Sequence, residues 1–202
     1  AGVLIDPASD RERLIRLRED QGVKMVWLSH GHEDHFMHLD LFDDLPLWIS
    51  DKVAPPLSDL EVFLDWYGID NIDYRKYWRA VLKEQFHFKP RKPTQFLQGG
   101  QIIDLGTVTV EVISTPGHTP GHLAFFFKEF GVLFMGDYDL NKFGPSYGDV
   151  YASIEETIAS VKNLRSIPAK TFLTSHETGV YIREPGKFWD DYLEVINERE
   201  RK

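Results

Sequence analysis

The sequence predicts an α+β fold in which stacked β-sheets are covered on the outside by helices. Strand-like segments occur in two groups, one in each half of the chain, and helical segments lie between and after them. The chain has 202 residues, of which 42% are hydrophobic and 27% are charged, which is a globular composition. That length suits one domain with a sizeable core, so we expect a single domain over residues 1–202.

The first half combines short apolar segments with helix-start signals. Its predicted elements, in chain order, are a strand at 2–5, a helix opened by the capping box Ser9–Glu12 and ended by Gly22, a buried strand at 23–28, a short helix at about 37–45, a strand at 47–50, a loop at Pro55-Pro56, and two helices between Asp59 and Phe86 that separate at Gly68.

The second half is richer in β-branched and aromatic residues, which is typical of strands. Its predicted elements are strands at 102–105, 107–114, 122–127, 132–135 and 171–174, a polar loop at 136–151, a helix from the cap Ser153 to about Arg165, and a terminal helix from Glu184 onward.

Composition excludes several functions. The absence of cysteine excludes disulfides, thiolate metal sites and a cysteine nucleophile. A net charge of −9 makes nucleic acid or an anionic lipid surface an unfavourable partner. No apolar run reaches the roughly 18 residues of a membrane span, and the first residues show no signal peptide. We expect a cytoplasmic protein with no membrane contact, and the sequence is compatible with a homodimer.

The histidines are concentrated in one segment. Four of the eight, at positions 30, 32, 35 and 38, fall within nine residues directly after the predicted buried strand 23–28. In extended backbone, side chains two positions apart point to the same face, so His30 and His32 can reach one cation. Gly31 between them permits a close approach. Asp34 and His35 stand where the chain turns and can face a neighbouring position.

Three further candidate ligands lie beside later predicted strands. They are His118 in the loop Thr115–His122, Asp137 after the strand 132–135, and His176 after the strand 171–174. Loops at strand ends can converge at one edge of a sheet, where sites commonly form. Imidazole and carboxylate ligands suit zinc, iron or manganese. His122 is interpreted as a structural residue bonded within its own loop.

The order of these residues resembles the metallo-β-lactamase superfamily, and the stretch Thr115–His122 resembles the glyoxalase II-like hydrolases in particular. The resemblance implies an αββα sandwich with its site along one edge of the two sheets. It also implies a ligand for each position of a dinuclear centre. The first ion would be held by His30, His32 and His118, the second by Asp34, His35 and His176, and Asp137 would bridge both.

The expected function is that of a metal-dependent hydrolase acting on a small ester, thioester or lactone. Two divalent ions, zinc foremost with iron or manganese as alternatives, can share a hydroxide whose pKa is lowered toward neutrality. Asp34 is predicted to handle a proton from the attacking water.

Two residues depart from the family pattern. Tyr138 follows the bridging carboxylate where members commonly have Thr or Ser, and it either hydrogen-bonds a tetrahedral oxyanion as a catalytic residue or only packs. Asp139 adds a second acid beside Asp137, and we prefer Asp137 as the ligand because it matches the motif. In the loop after these residues, Lys142 and Tyr147 are candidate substrate contacts.

The segment 74–92 interleaves basic and aromatic residues. It is interpreted first as an amphipathic helix with aromatic residues inward and basic residues in water. The alternatives are a substrate cap formed by a helical insertion at about 57–92, or a contact with single-stranded nucleic acid.

Other functions of the same superfamily remain as alternatives. They are a mononuclear iron persulfide dioxygenase-like oxidoreductase, which would use open coordination positions for oxygen, and a nuclease. A metal-binding scaffold without catalysis is the non-enzymatic alternative.

Overall fold

A computed structural model describes residues 2–177 and 179–201, and the chain divides into two compact units that meet in sequence between Leu97 and Gln98. The first unit contains a four-stranded sheet and the second a six-stranded sheet. Helices accompany both sheets, so each unit combines the two kinds of secondary structure.

The first unit is built on a parallel sheet in the order β1-β2-β3-β4. Its strands are β1 (Gly2–Ile5), β2 (Val23–Trp27), β3 (Leu47–Ile49) and β4 (Gln95–Phe96). Because parallel strands all end at the same edge, the residues that come directly after β1 and β2 are neighbours in space. This register brings Asp6, which follows β1, beside Ser29 and His30, which follow β2.

Helices connect these strands and supply much of the core of the first unit. They are α1 (Arg11–Gln21), α2 (Glu33–Phe36), α3 (Ala54–Ser58), α4 (Leu60–Trp66) and α5 (Ile72–Glu84), with 3-10 turns at Leu39–Phe42 and Asp51–Val53. Phe36, Phe63 and Phe88 lie with ring centroids 5.6–5.9 Å apart in this core.

Several predicted boundaries in the first unit were wrong for local reasons. The cap of α1 is Asp10, whose carboxylate accepts from the Arg13 N–H, rather than Ser9. The helix predicted at 37–45 is replaced by α2, which begins earlier, and by a separate 3-10 turn. Pro55-Pro56 does not form a loop, because proline is tolerated in the first turn of a helix and both residues lie in α3.

The second unit is a mixed sheet in the order β10-β9-β8-β7-β6-β5. Its elements are β5 (Ile102–Asp104), β6 (Thr109–Ser114), β7 (Leu123–Phe127), β8 (Val132–Phe134), α6 (Ile154–Ser166), β9 (Thr171–Leu173), β10 (Val180–Tyr181) and α7 (Phe188–Glu200). The pair β8–β9 is parallel, and the other pairs are antiparallel. Consequently Asp137, after β8, and His176, after β9, follow strands that end at one edge.

The predicted second-half strands and the helix capped by Ser153 are confirmed. The two-residue strands β4 and β10 were not predicted, because two residues carry no periodicity. Helix α7 begins four residues later than predicted, after Pro185 and Gly186, and Trp189 anchors its first turn by donating to the Glu184 carboxylate at 2.9 Å. Within the described residues, no helix combines the length and apolar character needed to cross a bilayer.

Candidate metal centre

Asp6 organises the ligand segment of the first unit. Its carboxylate accepts hydrogen bonds from the Ser29 N–H (2.8 Å), the Ser29 hydroxyl (2.6 Å) and Nδ1 of His35 (3.0 Å). Asp6 also has a positive φ of 50°, which costs a non-glycine residue about 1–3 kcal/mol. The three hydrogen bonds offset that cost. The sequence-based prediction gave Asp6 no role, and its position directly after a predicted strand was the signal that could have indicated one.

These hydrogen bonds fix the tautomers of His30 and His35, because they determine which ring nitrogen carries the proton. The Ser29 hydroxyl has one proton, which it donates to Asp6, so at 3.0 Å it accepts from Nδ1 of His30. His35 likewise donates its Nδ1 proton to Asp6. Both imidazoles therefore carry their lone pair on Nε2, which is the tautomer of a histidine prepared to bind a metal ion.

The remaining ligand candidates of the first unit lie close to this pair. The His30 ring centroid is 4.7 Å from that of His32 and 4.0 Å from that of His35. Asp34, whose side chain is 45% exposed, places Oδ1 3.8 Å from Nε2 of His35. A Cβ at position 31 would lie 2.9 Å from Cγ1 of Val53, so any other residue there needs the Val53 side chain to shift. The first unit thus brings its four predicted ligands together.

A contact from α4 supports the same segment. The residue after α4, Tyr67, donates its hydroxyl to the Glu33 carboxylate, and its ring lies 5.7 Å from that of His32. Tyr67 stacks on Phe63 of the core at 5.0 Å. The helix about 25 residues after the ligand segment is therefore tied to that segment through the aromatic contacts of Tyr67.

The second unit contributes His118 from a tight loop between β6 and β7. Gly117 has φ of 126°, and a Cβ there would lie 2.2 Å from the Thr157 backbone nitrogen, so only glycine fits. His118 is buried and donates its Nδ1 proton to the Ser146 carbonyl at 3.0 Å. Its Nε2 consequently faces Asp137, with 3.2 Å to Oδ2.

One oxygen of Asp137 has two imidazole neighbours. Besides His118, Nε2 of His176 lies 3.4 Å from the same Oδ2 atom. Two ligand atoms at about 2.0–2.2 Å from one zinc ion, with a tetrahedral angle of about 109°, are about 3.3–3.6 Å apart. The observed separations of 3.2 and 3.4 Å are close to this range.

The backbone of Asp137 is held from two sides. Its N–H donates to Nε2 of His122 at 3.2 Å, and Nδ1 of His122 donates to the Thr115 hydroxyl at 2.7 Å. The hydroxyl of Tyr192 on α7 donates to the Asp137 carbonyl at 3.3 Å. The structural interpretation of His122 is confirmed, and its contact with Asp137 was not visible in the sequence.

The negative charge of Asp137 stabilises positive charge on groups beside it. Burial alone would lower the pKa of His118, but the hydrogen bond and the charge of Asp137 outweigh it and raise that pKa. Burial and the neighbouring Asp137 also raise the pKa of Asp139 to about 6. Asp139 accepts from the His176 N–H at 3.0 Å, which indicates that it orients the His176 segment.

The contacts of Tyr138 favour packing over a contact with an oxyanion. Its side chain is 1% exposed, and its single hydroxyl proton is shared between the carbonyl oxygens of Thr115 (3.0 Å) and Pro116 (2.9 Å). Burial raises its pKa to about 12, so it stays protonated. Because those two carbonyls engage the hydroxyl, we propose a packing role for Tyr138 rather than a catalytic one.

The two candidate substrate contacts have different surroundings. Tyr147 lies against α7, with its hydroxyl 3.4 Å from the Glu200 carboxylate and its ring 5.4 Å from the Arg199 guanidinium. Those contacts favour a role in anchoring the loop. Lys142 instead lines a cavity of the second unit.

The ligand sets fit divalent metal ions. Each offers nitrogen and carboxylate oxygen donors, and the Nδ1 atoms of three histidines are oriented by Asp6, Ser29 and the Ser146 carbonyl. Such hydrogen bonds orient histidine ligands and raise their basicity. Without cysteine, the sites suit zinc, iron or manganese rather than thiolate-selected metals.

A second His/Asp group in the first unit is less suited to a divalent metal ion. His38, Asp40 and His87 place one ligand atom each within 4.8 Å of one another. However, the Arg11 guanidinium bonds both Asp40 oxygens (2.9 and 2.7 Å) and lies 3.2 Å from Nδ1 of His38. Burial and then the Arg11 charge lower the pKa of His38. The guanidinium already supplies the positive charge in this group.

Several basic side chains of the segment 74–92 form ion pairs with acidic residues elsewhere in the first unit. Glu61 of α4 accepts from Arg75 and Arg79 of α5, and Arg75 also pairs with Asp65. Lys89 pairs with Asp43 at 3.0 Å. These ion pairs favour an amphipathic helix over a surface for nucleic acid. The expectation that its aromatic residues point inward was wrong for Tyr74 and Tyr77, which are 51% and 59% exposed.

The comparisons with known proteins identify the family of the chain. Residues 1–176 match the family described as the metallo-beta-lactamase superfamily. Hydroxyacylglutathione hydrolase GloC of Haemophilus influenzae is 34% identical over 140 residues, which are 66% of this chain and 59% of that protein. Acyl-coenzyme A thioesterase MBLAC2 of Gallus gallus is 29% identical over 111 residues, which are 54% of this chain and 39% of that protein.

Solved structures show the same fold. TTHA1429 of Thermus thermophilus, a metallo-beta-lactamase family protein, has a TM-score of 0.72 and 21% identity, covering 98% of this chain and 71% of that one. TTHA1623, solved in a di-iron-bound form, has a TM-score of 0.66 and 25% identity. The match covers 96% of this chain and 86% of that one. The expected metallo-β-lactamase fold is confirmed. The chain spans less than two thirds of the length of the two curated relatives, GloC and MBLAC2.

Proposed function

Because the chain belongs to the metallo-β-lactamase superfamily, we propose that it is a metal-dependent hydrolase with a dinuclear centre that acts on a small ester, thioester or lactone. The single observation that supports this most is the approach of His118 and His176 to one oxygen of Asp137. A carboxylate oxygen between two imidazoles is the arrangement that a bridging ligand requires.

We propose the ligand assignment that the family resemblance implies. In this assignment His30, His32 and His118 would hold one ion, Asp34, His35 and His176 would hold the other, and Asp137 would be a ligand of both. Zinc is the first metal to test, with iron or manganese as alternatives, and iron is supported by the di-iron form of TTHA1623. When bound, two such ions lower the pKa of a shared water toward neutrality and polarise the scissile carbonyl.

The protein's own residues orient and move protons in this proposal. Asp34 has the exposure to accept a proton from the attacking water and return it to the leaving group. Asp6 and Ser29 keep His30 and His35 in the tautomer that offers Nε2. His122 and Tyr192 fix the backbone of Asp137.

A thioester is the best first substrate class. Two of the relatives have names that specify removal of an acyl group from glutathione or coenzyme A. A net charge of −9 disfavours a polyanionic polymer as substrate. We propose further that α4 and α5 act as a substrate cap, because Tyr67 connects α4 with Glu33 and His32.

The test is hydrolysis of acyl thioesters by zinc-loaded and iron-loaded protein. We expect turnover by the native chain and a loss of at least about 100-fold in kcat for Asp34→Asn, since general acid–base catalysis contributes on this scale. Asp20→Asn, an exposed change on α1, is the matched control and keeps native turnover. Folded, metal-loaded protein that hydrolyses no ester, thioester or lactone contradicts the proposal.

A further inference from the structure

The second unit contains a cavity of about 690 Å³ next to residues of the proposed centre. Its wall includes Leu140, which follows Asp139, and Glu177, which follows His176. Asp139 and His176 are joined by the 3.0 Å hydrogen bond from the His176 N–H. Pockets for small molecules commonly measure about 300–1,000 Å³. The cavity therefore has the volume of a ligand site and shares its wall with the segment that carries His176.

Backbone strain is concentrated in this wall. Leu140 has φ of 53° and Glu177 has φ of 55°, and among the described residues only two other non-glycine residues have positive φ. Each such residue costs about 1–3 kcal/mol, and such strain persists where the surroundings impose it, often at functional sites. The Tyr181 hydroxyl, which donates to the Asp139 carbonyl at 3.0 Å, helps to impose it here.

Aromatic side chains line the cavity while remaining open to water. Phe143 is 67% exposed and Phe188 is 45% exposed, and the Phe188 ring lies 5.7 Å from that of Tyr181. The Arg199 guanidinium stands 4.6 Å from the Phe143 ring centroid and holds that ring in place. An apolar occupant would remove aromatic surface from water, at about 25 cal/mol per Å².

The charges around the cavity balance one another. The lining contains two cations, Lys142 and Lys187, and two anions, Glu177 and Asp191. Nζ of Lys187 lies 3.7 Å from the Asp191 carboxylate. A lining with two cations and two anions does not select for a charged ligand. The occupant that fits is neutral and apolar.

We propose that this cavity binds the apolar acyl arm of the substrate, so that the protein prefers medium-chain acyl groups to acetyl. This inference rests on the proposed hydrolase function. In thioesters of polar carriers such as glutathione or coenzyme A, the acyl group is the part that can be apolar. Phe143 and Phe188 are then specificity-determining residues, and Lys142 lies at the cavity wall.

The first experiment measures kcat/KM for N-acetylcysteamine thioesters that carry acetyl, butanoyl, hexanoyl and octanoyl groups. For the native chain we expect a rise of at least tenfold from acetyl to octanoyl. In Phe188→Ala and Phe143→Ala, the octanoyl-to-acetyl ratio falls at least fivefold. Phe130→Ala, an exposed aromatic in the turn between β7 and β8, is the matched control and keeps the native ratio. A native ratio near one, or a ratio unchanged in both cavity variants, overturns the inference.

A binding measurement separates this inference from the proposed function. Calorimetric titration of the metal-loaded protein with octanamide and with acetamide needs no turnover. We expect a Kd for octanamide at least tenfold lower than for acetamide, and a loss of that difference in Phe188→Ala. If no thioester is hydrolysed but octanamide binds in this way, the hydrolase proposal fails and the apolar cavity site stands. If thioesters are hydrolysed without chain-length preference and octanamide does not bind, the cavity inference fails alone.

Discussion

The carboxylate of Asp6 lies 3.0 Å from Nδ1 of His35, and the two residues are 29 positions apart in sequence. The parallel register of β1 and β2 creates this contact, because it places the residues after both strands at one edge of the sheet. Through the Ser29 hydroxyl the same carboxylate also determines the tautomer of His30. One acidic side chain thus prepares two imidazoles for metal binding.

Asp6→Ala is expected to lower metal affinity by about 10–100-fold, the usual effect of removing a residue that orients histidine ligands. Chelator competition at pH 7 measures the metal affinity of the variant and of the native chain. Asp6→Asn, which keeps an acceptor for His35, should fall between the native chain and the alanine variant. An alanine variant with native affinity would show that the tautomer is set without Asp6.

His122→Leu should destabilise the fold by about 1–3 kcal/mol, because it removes the acceptor of the Asp137 N–H beside the buried His122 ring. Urea denaturation reports this as a lower midpoint. His122→Gln retains an acceptor of comparable reach and should recover part of the loss. Equal midpoints for the leucine variant and the native chain would remove the positioning role of His122.

Gly117→Ala should be destabilising by more than the about 1–3 kcal/mol of backbone strain alone, because the added Cβ would lie 2.2 Å from the Thr157 nitrogen. Metal affinity should fall with it, since His118 is the next residue. Gly148→Ala is the control, because nothing lies within 4 Å of a Cβ at that position. Thermal unfolding of both variants, measured with bound metal, compares the two positions, and equal stabilities would contradict this account of the loop.

Acid should weaken the ion pairs that connect Glu61 of α4 with Arg75 and Arg79 of α5. Hydrogen bonds from Arg79 and Arg75 lower the pKa of Glu61 from 4.5 to about 2. A depressed folded-state pKa contributes stability that is present above about pH 4.5 and lost as the pH falls toward 2. Since these side chains are partly exposed, we expect no more than about 1 kcal/mol.

Denaturant midpoints at pH 7, 5 and 3.5 measure the stability that these ion pairs contribute. The difference between the native chain and Glu61→Gln should narrow as the pH falls, whereas Glu84→Gln, an exposed change on α5, should show no such trend. A difference that stays constant over this range would show that the Glu61 carboxylate contributes no pH-dependent stability.

The sequence predicted much of this architecture because its strongest signals are local. His30 and His32 stand two positions apart after an apolar strand, and His118, Asp137 and His176 each come after another strand. The spacing of these residues and their positions at strand ends can be inferred from the sequence without the tertiary structure. The helix capped by Ser153 was equally visible, because its capping side chain and apolar periodicity lie within one segment.

The roles of Asp6 and His122 could not be read in the same way. Asp6 acts on residues 23 and 29 positions away, and only the register of two strands makes them neighbours. His122 acts on the backbone of Asp137, and backbone contacts have no residue-type signal. The same limit explains the helix predicted at 37–45, where packing against the core favours two short turns over one continuous helix.

The most direct measurement is elemental analysis of protein purified without added metal or chelator, repeated for Asp137→Ala. The account predicts about two divalent ions per native chain and, because the shared oxygen is lost, fewer than one tightly held ion per chain in the variant. One ion per native chain, or a variant that retains both ions, would contradict a centre bridged by Asp137.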